Sequence, residues 1–149
     1  MPDGESKSKR SRNPDIRPEI EWRGAFTSSE ANRLHAEAFE TRLFSDAEWD
    51  WHSVVEKHSL GWVTARVDKR FVGFVNVVSD GLVHGWIQDV MVASDVRGSG
   101  IGTMLVKAAG DGARAAGCEW LHVDFADDLE KFYFDACGFI PTKAGLIQL

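Results

Sequence analysis

The chain has 149 residues, of which 44% are apolar and 27% are charged. This length suits one domain with its own core, because domains usually hold roughly 100–150 residues. No apolar run approaches the roughly 18 residues of a membrane span, and the N-terminus shows no apolar signal segment. The two cysteines, Cys118 and Cys137, exclude a disulfide-rich scaffold. We therefore expect a cytoplasmic protein with free thiols and no membrane partner.

Charge is divided unevenly along the chain, whose formal net charge is −6. Residues 1–18 hold five basic and three acidic side chains without apolar periodicity, which predicts a disordered basic tail. Residues 19–149 form the predicted folded domain, which is acidic. An acidic domain repels nucleic-acid phosphates, so we expect no nucleic acid as a partner.

Two capping boxes predict where the first two helices begin. Thr27 with Glu30, and Ser45 with Glu48, place a hydroxyl and a carboxylate three residues apart, so each satisfies an unpaired backbone N–H. In chain order, the predicted elements are a strand at 20–23, a helix capped at 27 and running to 39, a helix capped at 45 and running to 57, strands at 60–66, 71–78 and 83–92, a helix at 101–116, a strand at 120–125, a helix capped at 127 or 128 and ending at 138, and short closing strands at 139–140 and 146–149.

The order of these elements predicts the fold class. Strands in an uninterrupted run favour antiparallel pairing, whereas the strand–helix–strand unit at 86–125 favours one parallel crossover. The order β-α-α-β-β-β-α-β-α-β therefore predicts a mixed, mostly antiparallel α/β sheet with helices on both faces. The helix at 101–116 is predicted to lie close to the sheet through a stripe of mostly small residues, namely Ile101, Leu105, Ala108, Ala109, Gly112 and Ala116.

The strongest chemical signal is a glycine-rich loop between a strand and a helix. It runs from Arg97 to Thr103 and contains Gly98, Gly100 and Gly102. Glycines let a backbone approach a ligand closely and let successive N–H groups converge. The N-terminus of the following helix adds partial positive charge, so the segment suits a pyrophosphate.

The spacing of residues in the loop distinguishes between the phosphate ligands that it could bind. A nucleoside triphosphate loop requires a lysine that this segment lacks. A dinucleotide loop requires three glycines in a fixed spacing, of which Gly98 and Gly100 supply the first two while Thr103 stands at the third. Asp124, on the next predicted strand, would then bind a ribose. A Rossmann-like nucleotide-binding regulator therefore stays open as an alternative.

The motif that fits fully is R/Q-x-x-G-x-G/A, carried by Arg97, Gly100 and Gly102. Together with the strand at 89–92 and the closing segment from Phe132 to Phe139, it makes residues 19–149 resemble the GNAT superfamily of N-acetyltransferases. The resemblance implies acetyl-CoA, or another acyl-CoA, as co-substrate and a small-molecule or peptidyl amine as acceptor. It further implies a V-shaped splay between neighbouring strands and makes a homodimer possible.

The resemblance also assigns the binding of the co-substrate. The pantetheine arm would enter the splay between the strand ending at Val92 and the strand at 121–124, and would bond to backbone groups. The pyrophosphate would lie on backbone N–H groups of the loop, with the Arg97 side chain secondary. The implied binding residues are Val90, Met91, Val92, Arg97, Gly98, Ser99, Gly100, Ile101, Gly102 and Thr103. We expect no metal site, because the histidines have no ligand-like spacing.

Acyl transfer to an amine requires a base, since a lysine-like amine has a pKa of about 10.4. Asp89 lies three residues before the end of its strand and is the first candidate, directly or through water. His84 is a second candidate, although a surface position in the hairpin suits it equally well. We expect a backbone N–H near Met91 or Val92 to stabilise the oxyanion.

The departing thiolate requires a proton, and the family usually supplies it from a tyrosine four residues before a glycine. Phe134 stands at that position here, and Tyr133 lies five residues before Gly138. A one-residue irregularity in the helix would bring Tyr133 to the sulfur; otherwise Tyr133 belongs to the core and water protonates the thiolate. The resemblance implies direct attack in a ternary complex, which needs no nucleophilic residue, and Cys137 is read as a buried thiol.

The acceptor is expected between the first two helices and the sheet, where many aromatic side chains are available. They form either core packing or an aromatic wall for a cation. These residues are Phe39, Phe44, Trp49, Trp51, Trp62 and Trp86. The displaced tyrosine, and the lack of an asparagine at 126–128, keep a non-catalytic acyl-CoA-binding module as an alternative function.

Overall fold

A computed structural model describes residues 16–149, so most of the predicted tail at 1–18 lies outside the described residues. A sheet of five strands holds the fold together in the order β1-β2-β3-β4-β5. The elements are β1 (Glu19–Trp22), α1 (Ser28–Phe39), α2 (Trp51–His58), β2 (Gly61–Val67), β3 (Arg70–Ser79), β4 (His84–Val92), α3 (Ile101–Ala115) and β5 (Trp120–His122). Within this part of the chain, no helix has the length and apolar character to cross a membrane.

The pairing of the strands confirms the predicted fold class. β1 to β4 pair antiparallel in chain order, and β5 pairs parallel with β4. A doubly wound parallel sheet, which the dinucleotide alternative requires, is therefore not the architecture.

Helices cover both faces of the sheet, as neighbouring residues of β3 show. A Cβ atom added to Gly73 would lie 2.9 Å from Leu105 Cδ1 of α3. The ring of the next residue, Phe74, lies 5.9 Å from the ring of Trp51 on α2. Because successive strand residues face opposite sides, α3 covers one face and the first two helices cover the other.

Two glycines allow α3 to lie close to the edge of the sheet. A Cβ atom on Gly112 of α3 would approach the Trp22 indole to 2.3 Å, and one on Gly61 would approach the same indole to 2.1 Å. The indole is thus held between both backbones. The predicted stripe of α3 is largely correct, but Ala113 is buried in it, whereas Ala116 is exposed beyond the last turn.

The second helix begins later than predicted. The Ser45–Glu48 capping contacts do form, with the Ser45 N–H donating to Glu48 Oε2 at 2.9 Å, but they close only a single turn. Asp50 leaves helical geometry at φ −88° and ψ 82°, and its carboxylate accepts a hydrogen bond from the Ser53 N–H at 3.0 Å. Asp50 therefore caps α2, which starts at Trp51.

The C-terminal part differs most from the sequence prediction. The strand predicted at 120–125 is reduced to three residues, and the predicted last helix consists of a 3₁₀ turn (Asp127–Leu129) and a π-helix (Lys131–Ala136). The closing strands predicted at 139–140 and 146–149 do not form in the described residues. A short apolar run becomes a strand only where a sheet edge receives its backbone groups, and β5 remains the outer strand.

Candidate active site at the end of strand β4

The strands β4 and β5 separate in the middle of β4. Their pairing covers only His84 to Trp86 on β4, opposite Trp120 to His122 on β5, whereas β4 continues to Val92. The far half of β4 therefore presents an edge that β5 does not cover. The family resemblance implies a V-shaped splay at this open edge, which stays a prediction.

A β-bulge interrupts β4 at Asp89. Gln88 pairs with Asn76 and Met91 pairs with Phe74, so two residues of β4 stand opposite one residue of β3. Asp89 adopts a positive φ of 55° at this point, which is uncommon for a residue with a side chain. The bulge interrupts the backbone ladder beside the open edge, and bulges of this kind often redirect a side chain at a functional site.

The glycine-rich loop has the backbone geometry that only glycine adopts readily. Gly98 and Gly100 have φ values of 77° and 90°. A Cβ atom on Gly98 would meet no atom within 4 Å, and one on Gly100 would meet only Met104 Cε at 3.9 Å. The side of the loop on which a ligand would approach is therefore open.

The N-terminus of α3 has no side-chain cap. Gly100 occupies the N-cap position without a capping hydrogen bond, and its carbonyl accepts from the Met104 N–H at 3.1 Å. The N–H groups of the first three helical residues, 101–103, therefore have no partner within the helix. Unpaired N–H donors at the positive end of a helix dipole are the groups that favour an anion.

The third glycine of the motif serves packing. A Cβ atom on Gly102 would lie 3.2 Å from the Phe132 ring and 3.8 Å from Val92 Cγ2. Gly102 thus lets the π-helix approach the end of β4. The Arg97 guanidinium bonds backward, with Nε donating to the Val92 carbonyl at 3.2 Å, so it joins the loop to β4.

The predicted base Asp89 is half-buried and makes no hydrogen bond or ion pair within residues 16–149. Burial raises its pKa above the ordinary value of 3.8, while the charge of His35 acts in the opposite direction. A carboxylate with a raised pKa is a better proton acceptor, as a general base requires.

His35 is a residue that the sequence analysis did not single out. It lies on the buried face of α1 and is 8% exposed. Its Nδ1 is the buried side-chain polar atom that has no hydrogen-bond partner among the described residues. The sequence did contain a signal for its burial: His35 lies four residues after Ala31 and one after Leu34, on the apolar stripe of α1.

The predicted acid Tyr133 lies in the π-helix. The Cys137 N–H donates to the Phe132 carbonyl at 3.0 Å, a five-residue step that supplies a one-residue irregularity of the kind considered from the sequence. Tyr133 is buried and stacks on Phe125 at 4.5 Å between ring centroids, and burial raises its pKa to about 12. Its hydroxyl therefore stays protonated at neutral pH.

A cavity of about 1400 Å³ lies between α3, β5 and the C-terminal segment. Among the predicted binding residues, Thr103 lines it, together with Asp124 and Phe134. Cys137 also lines it and is half-buried rather than fully buried as predicted; burial raises the pKa of its thiol.

The second base candidate, His84, lies at the opposite end of β4 from Val92. Its Nδ1 is 2.7 Å from His122 Nε2, and the His122 ring stacks on Trp86 at 4.7 Å between centroids. His84 is thus committed to a histidine pair where β4 and β5 still meet. The structure does not bring it together with Asp89.

The six predicted aromatic residues lie in three places. Trp51 and Trp62 belong to the core, where their indole N–H groups donate to Asn32 Oδ1 at 2.9 Å and to the Gly24 carbonyl at 2.8 Å. Phe39, Phe44 and Trp49 surround His35 instead, with centroid distances of 4.9, 6.2 and 4.8 Å. Trp86 remains on β4, beside the histidine pair.

Comparison with known proteins gives matches over most of the chain. The model of the acetyltransferase (GNAT) family matches residues 21–139. An acetyltransferase from Trypanosoma brucei is 20% identical, with a TM-score of 0.72 over 87% of this chain and 99% of that one. A ribosomal-protein-alanine N-acetyltransferase from Brucella melitensis is 21% identical, with a TM-score of 0.68 over 89% and 99%.

A third similar structure contains bound CoA. The aminoglycoside N-acetyltransferase AAC(6')-Iy in complex with CoA is 15% identical, with a TM-score of 0.69 over 90% of this chain and 95% of that one. At these identities the structural matches establish the shared fold. No curated protein sequence matches this chain significantly.

Proposed function

The chain belongs to the GNAT family of acetyltransferases, and on this premise we propose that it transfers an acetyl group from acetyl-CoA directly to a primary amine. The observation that carries the proposal is the uncapped N-terminus of α3 beside an open glycine loop and an unpaired edge of β4. These backbone groups suit a pyrophosphate and an extended amide-bearing arm.

Backbone groups of the described residues fit the pyrophosphate and the pantetheine arm of CoA. The N–H groups of residues 101–103 would hold the pyrophosphate, since they have no partner in the helix. The backbone of residues 90–92, at the open edge of β4, would bond to the pantetheine amides. Acetyl-CoA supplies the thioester whose carbonyl carbon the amine attacks.

Asp89 would accept the proton that the attacking amine loses. At neutral pH this deprotonation costs roughly 4–5 kcal/mol for an amine of pKa about 10.4. The amine nitrogen then forms a bond to the carbonyl carbon, and the bond from carbon to sulfur breaks. A backbone N–H near Met91 or Val92 would stabilise the intermediate oxyanion. Tyr133 would donate its hydroxyl proton to the departing thiolate and regain a proton from the nitrogen, which loses its second proton as the amide forms.

Thermal unfolding with separate ligands tests the proposal. Acetyl-CoA and CoA at about 100 times their dissociation constants should each stabilise the fold by ~2.7 kcal/mol, whereas NAD and ATP should not. Thiol release with a panel of amines then tests turnover. Absence of any stabilisation by CoA would remove the transferase assignment.

A non-catalytic acyl-CoA-binding module is the second candidate function. It is favoured by the burial of Tyr133 and by its pKa of about 12, which makes the hydroxyl a weak acid. Stabilisation by CoA without thiol release from acetyl-CoA, across all amines tested, would select this alternative.

A further inference from the structure

The segment between α1 and α2, residues 40–50, presents an apolar surface; we call it the 40–50 loop. Leu43 and Trp49 on this loop are 58% and 39% exposed, and Phe39 at the end of α1 is 46% exposed. Exposed large apolar side chains grouped on one loop are typical of a ligand-binding surface.

The shape of the 40–50 loop is fixed by its own polar side chains. The Arg42 Nη2 donates to Glu48 Oε1 at 2.8 Å, and the guanidinium lies 4.1 Å from the centroid of the Phe44 ring. The Phe44 ring in turn lies 4.3 Å from that of Trp49. Trp49 is therefore presented by a constrained loop.

Most carboxylates of the loop already accept hydrogen bonds from other side chains. Asp46 accepts from Ser29 Oγ at 2.6 Å, Glu48 accepts from Arg42, and Asp50 accepts from Ser28 Oγ at 3.0 Å. The bond from the Ser53 N–H, followed by that from Ser28, lowers the pKa of Asp50, and the bond from Arg42 brings the pKa of Glu48 to about 2. Of the four carboxylates at 40–50, Glu40 alone makes no such bond within the described residues.

His35 lies beneath the aromatic side chains of the loop. His35 packs against Trp49 at 4.8 Å and Trp51 at 5.5 Å between ring centroids, and its Nδ1 has no hydrogen-bond partner in the described chain. α1 packs against β4, and the charge of His35 acts on Asp89. Asp89 also has no counter-ion within residues 16–149.

We propose that the acceptor is a monoamine carried on an aromatic or branched aliphatic body, whose apolar part lies against Phe39, Leu43 and Trp49 while its amino group approaches Asp89. This inference rests on the proposed function and adds the class of substrate. The Asp89 carboxylate has no counter-ion within residues 16–149, so it can pair with one ammonium. Exposed rings bind both apolar groups and cations.

Amino sugars and polyamines fit this surface poorly. Such acceptors carry several ammonium or hydroxyl groups that need matching carboxylates, and those of the 40–50 loop are mostly engaged. Binding them would leave buried polar groups unpaired or would break the loop's own bonds. The shortage of unpaired carboxylates therefore disfavours amino sugars and polyamines, while the exposed apolar side chains favour monoamines with an apolar group.

An acceptor panel tests the inference at saturating acetyl-CoA with release of free thiol as the readout. 2-Phenylethylamine and isoamylamine should give kcat/KM at least about tenfold above those of kanamycin, glucosamine and spermidine, the equivalent of ~1.4 kcal/mol. A higher value for kanamycin, glucosamine or spermidine would overturn the inference.

Two variants separate the apolar surface from the chemistry. Trp49→Ala and Leu43→Ser should each raise KM for 2-phenylethylamine by about tenfold, at little change in kcat, because uniform binding is lost. For each variant, kcat/KM should fall more for 2-phenylethylamine than for ethylamine, since ethylamine has no aromatic or branched group to contact Trp49 or Leu43. Leu43→Ser keeps the test valid if Trp49→Ala unfolds, because Leu43 is largely exposed.

Leu82→Ser is the matched control for Leu43→Ser, because Leu82 is 75% exposed in the turn between β3 and β4, outside the 40–50 loop. It should leave KM for 2-phenylethylamine unchanged; a tenfold rise would contradict the assigned surface. Failure of the inference differs from failure of the proposed function: the first shows turnover of other amines, the second shows no turnover of any amine.

Discussion

The 97–103 loop and the 40–50 loop are built in opposite ways. The first offers backbone: two glycines with positive φ, an uncapped helix and an open strand edge. The second offers side chains held by one another, through Arg42, Glu48 and the Phe44 ring. A site made of backbone depends on the positions where a side chain would intrude, whereas a site made of side chains depends on their contacts. The backbone-built 97–103 loop therefore suits the binding of the co-substrate, and the 40–50 loop suits the selection of the acceptor.

The largest expected effect is at the backbone-built site. Gly100→Asp should abolish stabilisation by CoA, because the carboxylate would repel the phosphates and the φ of 90° strains any side chain. We expect the CoA affinity to fall by at least about 100-fold, or ~2.7 kcal/mol. Ligand-dependent thermal unfolding measures the loss.

Gly117→Asp supplies the control for that experiment. Gly117 ends the same helix with a φ of 101°, and a Cβ atom there would also meet nothing within 4 Å. The backbone strain is thus similar and the charge is far from the N-terminus of α3. Equal loss of CoA binding in both variants would mean that strain, rather than an anion site, explains the effect.

Asp89→Asn should separate activity from stability. Removing the base should lower kcat/KM by about 10²–10⁴-fold. The free energy of unfolding at neutral pH should rise, because burial raises the pKa of Asp89 and so disfavours the charged form in the folded state. In the wild type, the contribution of Asp89 to the free energy of unfolding is present at low pH and is lost as pH rises through the folded pKa. In Asp89→Asn, the free energy of unfolding should not show this loss.

Rate measurements and denaturant unfolding across pH check both parts. Asp68→Asn is the control, since Asp68 also has a positive φ, of 49°, but lies in the turn between β2 and β3. Unchanged turnover in Asp89→Asn would remove Asp89 as the base.

Tyr133→Phe should lower kcat by about 100-fold, at the lower end of the range for acid catalysis. The melting temperature should change little, because the hydroxyl makes no hydrogen bond within the described residues. The pKa of about 12 keeps the proton in place, so the pH profile should show no alkaline loss from this group below that value.

The double variant Tyr133→Phe/Phe134→Tyr sharpens this test by moving the hydroxyl to the position usual in the family. Recovery of kcat would show that Phe134 faces the sulfur and that Tyr133 is a core residue. An unchanged kcat in Tyr133→Phe alone would assign the proton to water.

The smallest expected effect concerns the anchor of the 40–50 loop. Asn32 is buried and its side-chain amide donates to the Trp49 carbonyl at 3.0 Å and to Asp46 at 3.2 Å. Asn32→Ala should destabilise the fold by about 1–3 kcal/mol, because the Trp51 N–H loses its acceptor. Denaturant unfolding measures it, with Arg33→Ala, the exposed next residue of α1, as the control, for which we expect less than about 0.5 kcal/mol.

Local sequence patterns determined much of the fold and part of the site. The Thr27–Glu30 box, the strands of the antiparallel run and the glycine loop depend on neighbours in sequence, and they form close to where they were predicted. Family membership followed from the same loop. The roles of Asp89, Tyr133 and the binding backbone groups remain predictions that the experiments above address.

Tertiary packing decided the rest. Asp50, which caps α2, is also held by a bond from Ser28, 22 residues away. The open edge of β4 depends on where β5 stops pairing with it. The π-helix around Tyr133 and the burial of His35 likewise follow from rings contributed by distant segments. Sequence periodicity records which side chains are apolar, but not which distant backbone or ring they meet; that depends on how the elements pack.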